Sequence, residues 1–441
     1  MRITKQQLAF GVASAALAAG ISSQAQAACT TSDAAVACSD ANTVTAVNAA
    51  MAGVSGDDLS LSIGANATVE QPGTVVSPTH IGSVAITNNG ALGTDLAPVG
   101  VSYVGDITSA DNAFALTNRG SITGQVSVSG VGGSINVANS GVIGNDSGLQ
   151  AIYAASGASA YSSSSDTSSD AGVTTTTNNS ASSIAGGTVD VAVNAGGSNG
   201  AVTAAGVDGA SVTIDGAVGS VDQASSVSAS SQFGTSADSN TMVSSADTYH
   251  YEDHSSTATV GGDASVAIGA SGSVSGNVAS NGFTSASVTV DGTVGADGDN
   301  RTVSANSAGV ATTYDSIVDV DYTNGDTSSS NTSGYERTGG DASVAVGANG
   351  VIHGSVNAQG DGSATVSNGG LITGPVVANS AIYTQTGSHS ASSNSSTSAS
   401  SGSVSSSESS YGYEYQTLGG TASVVNAAGA TIEGNTSATG I

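Results

Sequence analysis

Short runs in which apolar and polar residues alternate recur along the chain, each closed by Asn or Asp and then Gly. They read "VAITNNGALG" from Val84, "FALTNRGSITG" from Phe114, "INVANSGVIG" from Ile135, "VTIDGAVG" from Val212, "VTVDGTVG" from Val288, "ATVSNGGLITG" from Ala364 and "VVNAAGATIEG" from Val424. Alternation predicts a short strand with one buried face. Asn or Asp before Gly predicts a turn with positive φ. A second short strand and another Gly turn follow, giving a unit of about 20 residues, the size of one coil of a parallel β-solenoid. Each strand would pair with its equivalent one coil above and below, and Asn at equivalent turns would stack into side-chain ladders. One coil cannot bury its own inner face, so repetition is a condition of stability. About 13 coils would give a rod about 60 Å long.

A longer period is laid over the short one. Gly-Gly pairs at Gly186, Gly261, Gly339 and Gly419 open similar text, as in "GGDASVAIGASGSVSG" and "GGDASVAVGANGVIHG". Between the orderly stretches lie Ser/Thr-rich segments near residues 153–185, 221–260, 301–338 and 381–418. Their middles hold almost nothing to bury, and their flanks alternate. They are expected as long hairpins or loops that leave one corner of the solenoid once every two coils, with a disordered Ser linker as the alternative. The chain thus divides into a leader (1–27), an N-terminal cap region (28–80), first coils with the first insertion (81–185), and long repeats 186–260, 261–338, 339–418 and 419–441, the last partial.

Composition narrows the class. The 441 residues include 61 glycines, no tryptophan and 4% aromatics, and the apolar residues are mostly Ala and Val. Such side chains fill a thin core between close backbones and can hardly fill a wide one. The formal charge is −28. Outside the leader the only bases are Arg119, Arg301 and Arg337, so nucleic acid and anionic membrane surfaces are excluded as expected partners.

The leader has a positive start (Arg2, Lys5), an apolar run "LAFGVASAALAAG" and an "AQA" cleavage site ending at Ala27. It reads as a secretory signal peptide. Cys29 and Cys38, the only cysteines, are expected to form a disulfide that closes a small loop in an exported chain.

Candidate chemistry is sparse. His80, Asp106 and Ser147 of "NDSG" fall in the order of a serine-protease triad, but order without geometry is weak. "HYEDH" from His250 to His254 would share a face on a helix, yet its surroundings predict a strand, which sets the two histidines about 13 Å apart. The acidic, Gly-rich "DGTVGADGDN" from Asp291 matches neither a tandem calcium β-roll nor an EF-hand loop. His80, His353 and His389 are isolated and expected in solvent. No nucleophile–base pair, phosphate loop or cofactor site stands out. No enzyme, cofactor or metal is expected.

The signal peptide, the early Cys pair and the Asn/Gly-punctuated coils together resemble the passenger region of bacterial type V secreted proteins, the autotransporters. That resemblance implies an all-β, right-handed parallel β-helix with recurring Ser/Thr/Tyr-rich insertions, displayed at the cell surface or outer membrane. It also implies a C-terminal β-barrel translocator as the route to the membrane. Here the sequence stops at Ile441 inside a repeat, so either a longer reading frame or another export route is expected. The expected role is adhesion or self-association through the insertions, against a surface or extracellular protein or glycan, or the chain itself. Tyr249, Tyr251, Tyr314, Tyr322, Tyr411, Tyr413 and Tyr415 in the insertion flanks are the candidate contact residues, since Tyr is favoured at interfaces. A purely structural stalk and a β-helical polysaccharide-active enzyme are the competing readings.

Overall fold

The computed structural model describes residues 29–32, 34–53, 58–76, 82–105, 112–170, 172–231, 233–244, 248–307, 310–322, 326–338, 340–398 and 401–440. The leader lies outside the described residues. The chain is all-β, with a single helix among the described residues. One sheet holds thirteen strands, and twelve of them, from Ala35–Cys38 to Thr421–Asn426, pair in parallel. The thirteenth, Thr30–Thr31, pairs antiparallel with Ala35–Cys38 at the N-terminal end.

Two more parallel ladders accompany the first. One is built of very short strands such as Ser121–Ile122, Ala217–Val218 and Thr293–Val294. The other runs through Ile152–Ser156, Val202–Ala205, Val227–Ser231, Val278–Gly282 and Arg301–Ser307. Every turn of the chain therefore adds one strand to each ladder. The register is in step with the sequence unit: Phe114 lies opposite Val84 and Ile135, and Val288 opposite Val266 and Val344.

Alternation decides what goes inside. Along Ile135–Asn139 the first, third and fifth residues are buried, and the same pattern recurs from Leu59–Ile63 to Asp341–Val346. Aliphatic side chains stack in columns, and one column, which begins with Tyr103 and Val128, is small from there on: Ala154, Ala204, Ala229, Ser280, Ala305, Ala358 and Ala378. The expected Asn ladder is present. Asn88 donates to Asn118 (2.8 Å) and Asn118 to Asn139 (2.8 Å), all fully buried. Farther along, the same register position carries Val193, Ile214, Ile268, Val290 and Val346 before returning to Asn368, which donates to Asn426 (2.7 Å).

The N-terminal end is closed by a local cap. Cys29 and Cys38 are joined in a disulfide. Helix α1 (Val44–Ala52) follows, started by Thr43, whose hydroxyl accepts from the Ala46 amide (3.1 Å), and it buries Val44, Val47 and Met51. A side-chain acceptor at this position satisfies an amide that the helix itself cannot.

The Ser-rich segments are hairpins. Four pairs of strands project: β1 (Ala158–Asp170) with β2 (Val173–Ala185), β3 (Phe233–Ser244) with β4 (Thr248–Val260), β5 (Val310–Tyr322) with β6 (Asp326–Thr338), and β7 (Val376–Ser398) with β8 (Ser401–Gly419). The first three start later than the sequence suggests, and the fourth pairs from Ala381, where the sequence places it. Tyr153, residues 227–231 and residues 301–307 still belong to the parallel ladder. The reason is that "SSVSASS" hides a buried alternation, Val227, Ala229 and Ser231, made of small residues that look like linker.

Candidate functional site

The hairpins do not stand apart. β2 pairs with β3, β4 with β5, and β6 with β7, all antiparallel, so the four insertions join into one eight-stranded sheet. The arithmetic of strand spacing permits this. Neighbouring strands lie about 4.8 Å apart in any sheet. A hairpin brings two strands, and one hairpin leaves every second turn of the chain, so each insertion rises by the same amount as the turns that carry it. A hairpin at every turn would be crowded, and one at every third would leave a gap.

Four buried serines mark the exits: Ser156, Ser231, Ser307 and Ser380. Ser231 donates to the Val207 carbonyl (3.1 Å) and accepts from the Gly262 amide (2.8 Å). Ser307 donates to the Phe283 carbonyl (3.2 Å) and Ser156 to the Gly187 carbonyl (2.5 Å). These serines tie the departing strand to the neighbouring corner. Sequence reading missed them, because serine is common throughout this chain. The returning strand re-enters through the Gly-Gly pairs, where backbones approach closely: a Cβ at Gly187 would sit 2.5 Å from the Gly133 carbonyl oxygen, and one at Gly262 would collide with that of Asp208.

No residue of β2, nor of β3, is part of the core. β2 and β3 carry only exposed and half-buried positions along their lengths. Cohesion comes from the backbone ladders and from polar side-chain pairs, including Ser182 with Ser236 (3.0 Å) and Asn240 with Tyr251 (2.7 Å). An isolated sheet of this kind would be marginal. Here the stacked turns fix the strand bases, which removes much of the closure entropy.

Register sorts the tyrosines. Directly opposed residues share a face, and each strand alternates. One unbroken row crosses all eight strands: Tyr161, Ser182, Ser236, Thr257, Thr313, Tyr335, Gln385 and Tyr415. By the same parity, Tyr249, Tyr251, Tyr383, Tyr411 and Tyr413 take positions on that face. Tyr314 and Tyr322 fall on the opposite one, so the seven candidate tyrosines do not form a single group. Tyr161, Tyr335 and Tyr383 join the larger set, and the sequence signal for them was the parity of each flank. Tyr161 is 71% exposed. Beside it lies a shallow groove of about 330 Å³, lined by Ser163, Asn178, Ser180, Asp238 and Asn240.

The remaining candidates are local features. His250, Glu252 and His254 lie on β4 on the face away from Tyr251, and His250 Nε2 meets Glu252 at 2.7 Å while His254 Nε2 is 3.9 Å away. Among the described residues no group of three His, Cys, Asp or Glu side chains is placed to hold a metal ion. Ser147 sits in a tight turn, its amide donating to Asn145, and His80 and Asp106 lie outside the described residues. In "DGTVGADGDN", Asp299 accepts from the Ala296 amide (2.9 Å) and pairs with Arg301 (3.1 Å). The Ala296 amide, with Arg301 second to it, holds the Asp299 carboxyl below its ordinary range. His353, expected in solvent, is half-buried, with Nδ1 enclosed and without a partner.

No protein-family model matches this chain, and no similar curated protein or solved structure is found.

Proposed function

We propose that the chain is an exported surface protein in which a right-handed parallel β-helix carries a broad projecting sheet whose tyrosine-bearing face makes adhesive contacts. The reading takes in a signal peptide over residues 1–27 and a passenger of the autotransporter kind. The observation that carries it is the convergence of eight tyrosine positions on one face of the sheet by register, reached from four separate insertions. Tyrosine offers a large, stiff, amphipathic contact at low entropic cost. The partner is a protein or glycan at another surface, and no catalysis is part of the reading.

A protease-shaving and fractionation immunoblot tests display: loss of the band on shaving of intact cells supports it, and a protected, periplasmic band sinks it. Adhesion is tested by replacing Tyr249, Tyr251, Tyr335, Tyr411, Tyr413 and Tyr415 with serine, against a control carrying Tyr314→Ser and Tyr322→Ser. At least a tenfold loss of retention on host-cell or glycan-coated surfaces is expected for the first set alone. Equal retention by both would leave the structural stalk as the better account.

A further inference from the structure

One face of the stacked turns carries no charge. It is the outward face of the ladder that runs through Ile152–Ser156, Val227–Ser231, Val278–Gly282, Arg301–Ser307 and Gly354–Gly360. From Ser127 to Asn379 every outward position on it is Ser, Thr, Asn, Gln, Ala, Val or Tyr. The chain has 33 acids, and the outward positions of the thirteen-stranded sheet do take some of them, at Asp190, Asp263 and Asp341.

Four amides line up on this face. Asn281 lies opposite Asn306, Asn306 opposite Gln359, and Gln359 opposite Asn379, one per turn at about 4.8 Å. All four are half-buried. The inner Asn column is zipped by its own hydrogen bonds, as Asn88, Asn118 and Asn139 show. The outer column is different. Among the described residues no side-chain hydrogen bond links its members, and Oδ1 of Asn306 and Oδ1 of Asn379 are enclosed without a partner. Polar atoms left in this state are costly and call for a partner. Rotation of each amide about its last torsion presents either the oxygen or the NH2 group at the surface. Toward the N-terminal end the face stays neutral. Tyr153, 40% exposed, lies opposite Ser127, and Ser127 lines a groove of about 490 Å³ with Ser102, Gln125 and Gln150.

We propose that this face binds an uncharged polysaccharide, laid along the stack so that its hydroxyls meet the amides of successive turns. Each amide both donates and accepts, as does each sugar hydroxyl. A polymer suits a row that repeats once per turn, whereas a small molecule would engage only one or two of its members. Tyr153 is the one aromatic among the outward positions from Ser127 to Asn379, and a sugar ring packs its apolar side on such a ring while its hydroxyls reach polar neighbours. Nothing on the face would pair with a carboxylate or a sulfate, which sets anionic glycans aside. Protein partners are held by clustered Trp, Tyr or Arg anchors, and this face has one tyrosine. The surface-contact reading concerns the tyrosines of the projecting sheet. The amide row lies on the turns and needs only their fold, so the two readings fail separately.

The test runs the full mature chain in native gels that contain laminarin, mannan or uncharged dextran, with dextran sulfate as the anionic comparison. Retardation by at least one uncharged polymer is expected, and none by dextran sulfate. Asn306→Ala, Gln359→Ala and Asn379→Ala, made together, are expected to raise the dissociation constant about tenfold through lost hydrogen bonds. Ser211→Ala, Ser265→Ala and Ser287→Ala, made together on the outward face of the other sheet, are expected to leave it unchanged. The three amides bond to nothing inside the fold, so the melting temperature of their triple variant is expected to stay within about 3 °C of wild type. Should that variant misfold, Tyr153→Ala decides by itself, with an expected rise of about threefold. Failure of all three uncharged polymers to retard the chain overturns the proposal. So does stronger retardation by dextran sulfate, or equal retardation of the wild type and the folded amide variant. Self-association without polymer that the amide variant abolishes would give the face to a second copy of the chain and overturn it as well.

Discussion

Ser231 lies directly opposite Gly282 in adjacent turns of the chain, and at that one level the two residues send the backbone in different directions. After Ser231 the strand runs out into β3. After Gly282 it bends round a corner into the next turn. The same opposition recurs between Ser307 and Gly360 and between Ser380 and Gly440. At Gly282 and Gly360 a Cβ would collide with the carbonyl of the residue three positions on, Ser285 or Ser363. The corner therefore needs glycine. Gly282→Ala is expected to cost at least about 2 kcal/mol, in the range of severe backbone conflicts. Ser231→Ala is expected to cost about 1–2 kcal/mol, because it leaves a buried amide and carbonyl without their partner. Thermal unfolding monitored by circular dichroism checks both.

The Asn column makes a second prediction. Asn118→Val removes the acceptor of Asn88 and the donor to Asn139, leaving Asn88 Nδ2 to the Ser121 carbonyl and Asn139 Oδ1 to the Gly141 amide, at a cost of about 1–3 kcal/mol. Replacing Asn88, Asn118 and Asn139 together by valine is expected to cost less than the sum of the three single changes. Val193, Val290 and Val346 already fill that position in other turns. Denaturant midpoints of the single and triple variants decide this, and strict additivity would refute it.

Asp263 hooks the turn above through the hydroxyls of Thr284 and Ser285, both at 2.7 Å, and Asp341 repeats the hook with Ser363 (2.7 Å). Thr284 first, then Ser285, hold the Asp263 carboxyl below its ordinary range, with burial opposing them. A folded-state pKa below the unfolded one stabilises the chain above the ordinary carboxyl range, and that contribution is lost as pH falls through the folded value. Asp263→Asn is expected to be destabilised at pH 7, and the difference from wild type to shrink toward pH 2. Melting curves across that window would show a constant difference if the hook were irrelevant.

Deleting β3 and β4, with a short turn in their place, tests the commensurate sheet. β2 and β5 would then face each other across about 14 Å, three strand spacings, and could not pair. Amide exchange in residues 174–182 and 313–322 is expected to quicken while the stacked turns keep their protection. Unchanged exchange would mean the hairpins stand independently.

Much of this fold was legible because a local rule produces it. Alternation, Asn or Asp and Gly specify each turn with no distant information, so the stacking of Val84 under Phe114 and Ile135 followed from text alone. Inner residues of the outgoing strands were harder to see, because Ala229 and Ser231 are too small to announce burial. The tyrosine flanks were visible, but their division between two faces was not. The sequence by itself determined the strands, the turns and the period at which insertions leave the stack. Only the tertiary structure decided that the four insertions fuse into one sheet and that one row runs across it from Tyr161 to Tyr415. The physical reason is that hairpin-to-hairpin pairing is made by backbone groups, which every residue but proline shares. Its register is set by where the stacked turns place each strand base, a distance that no local pattern encodes.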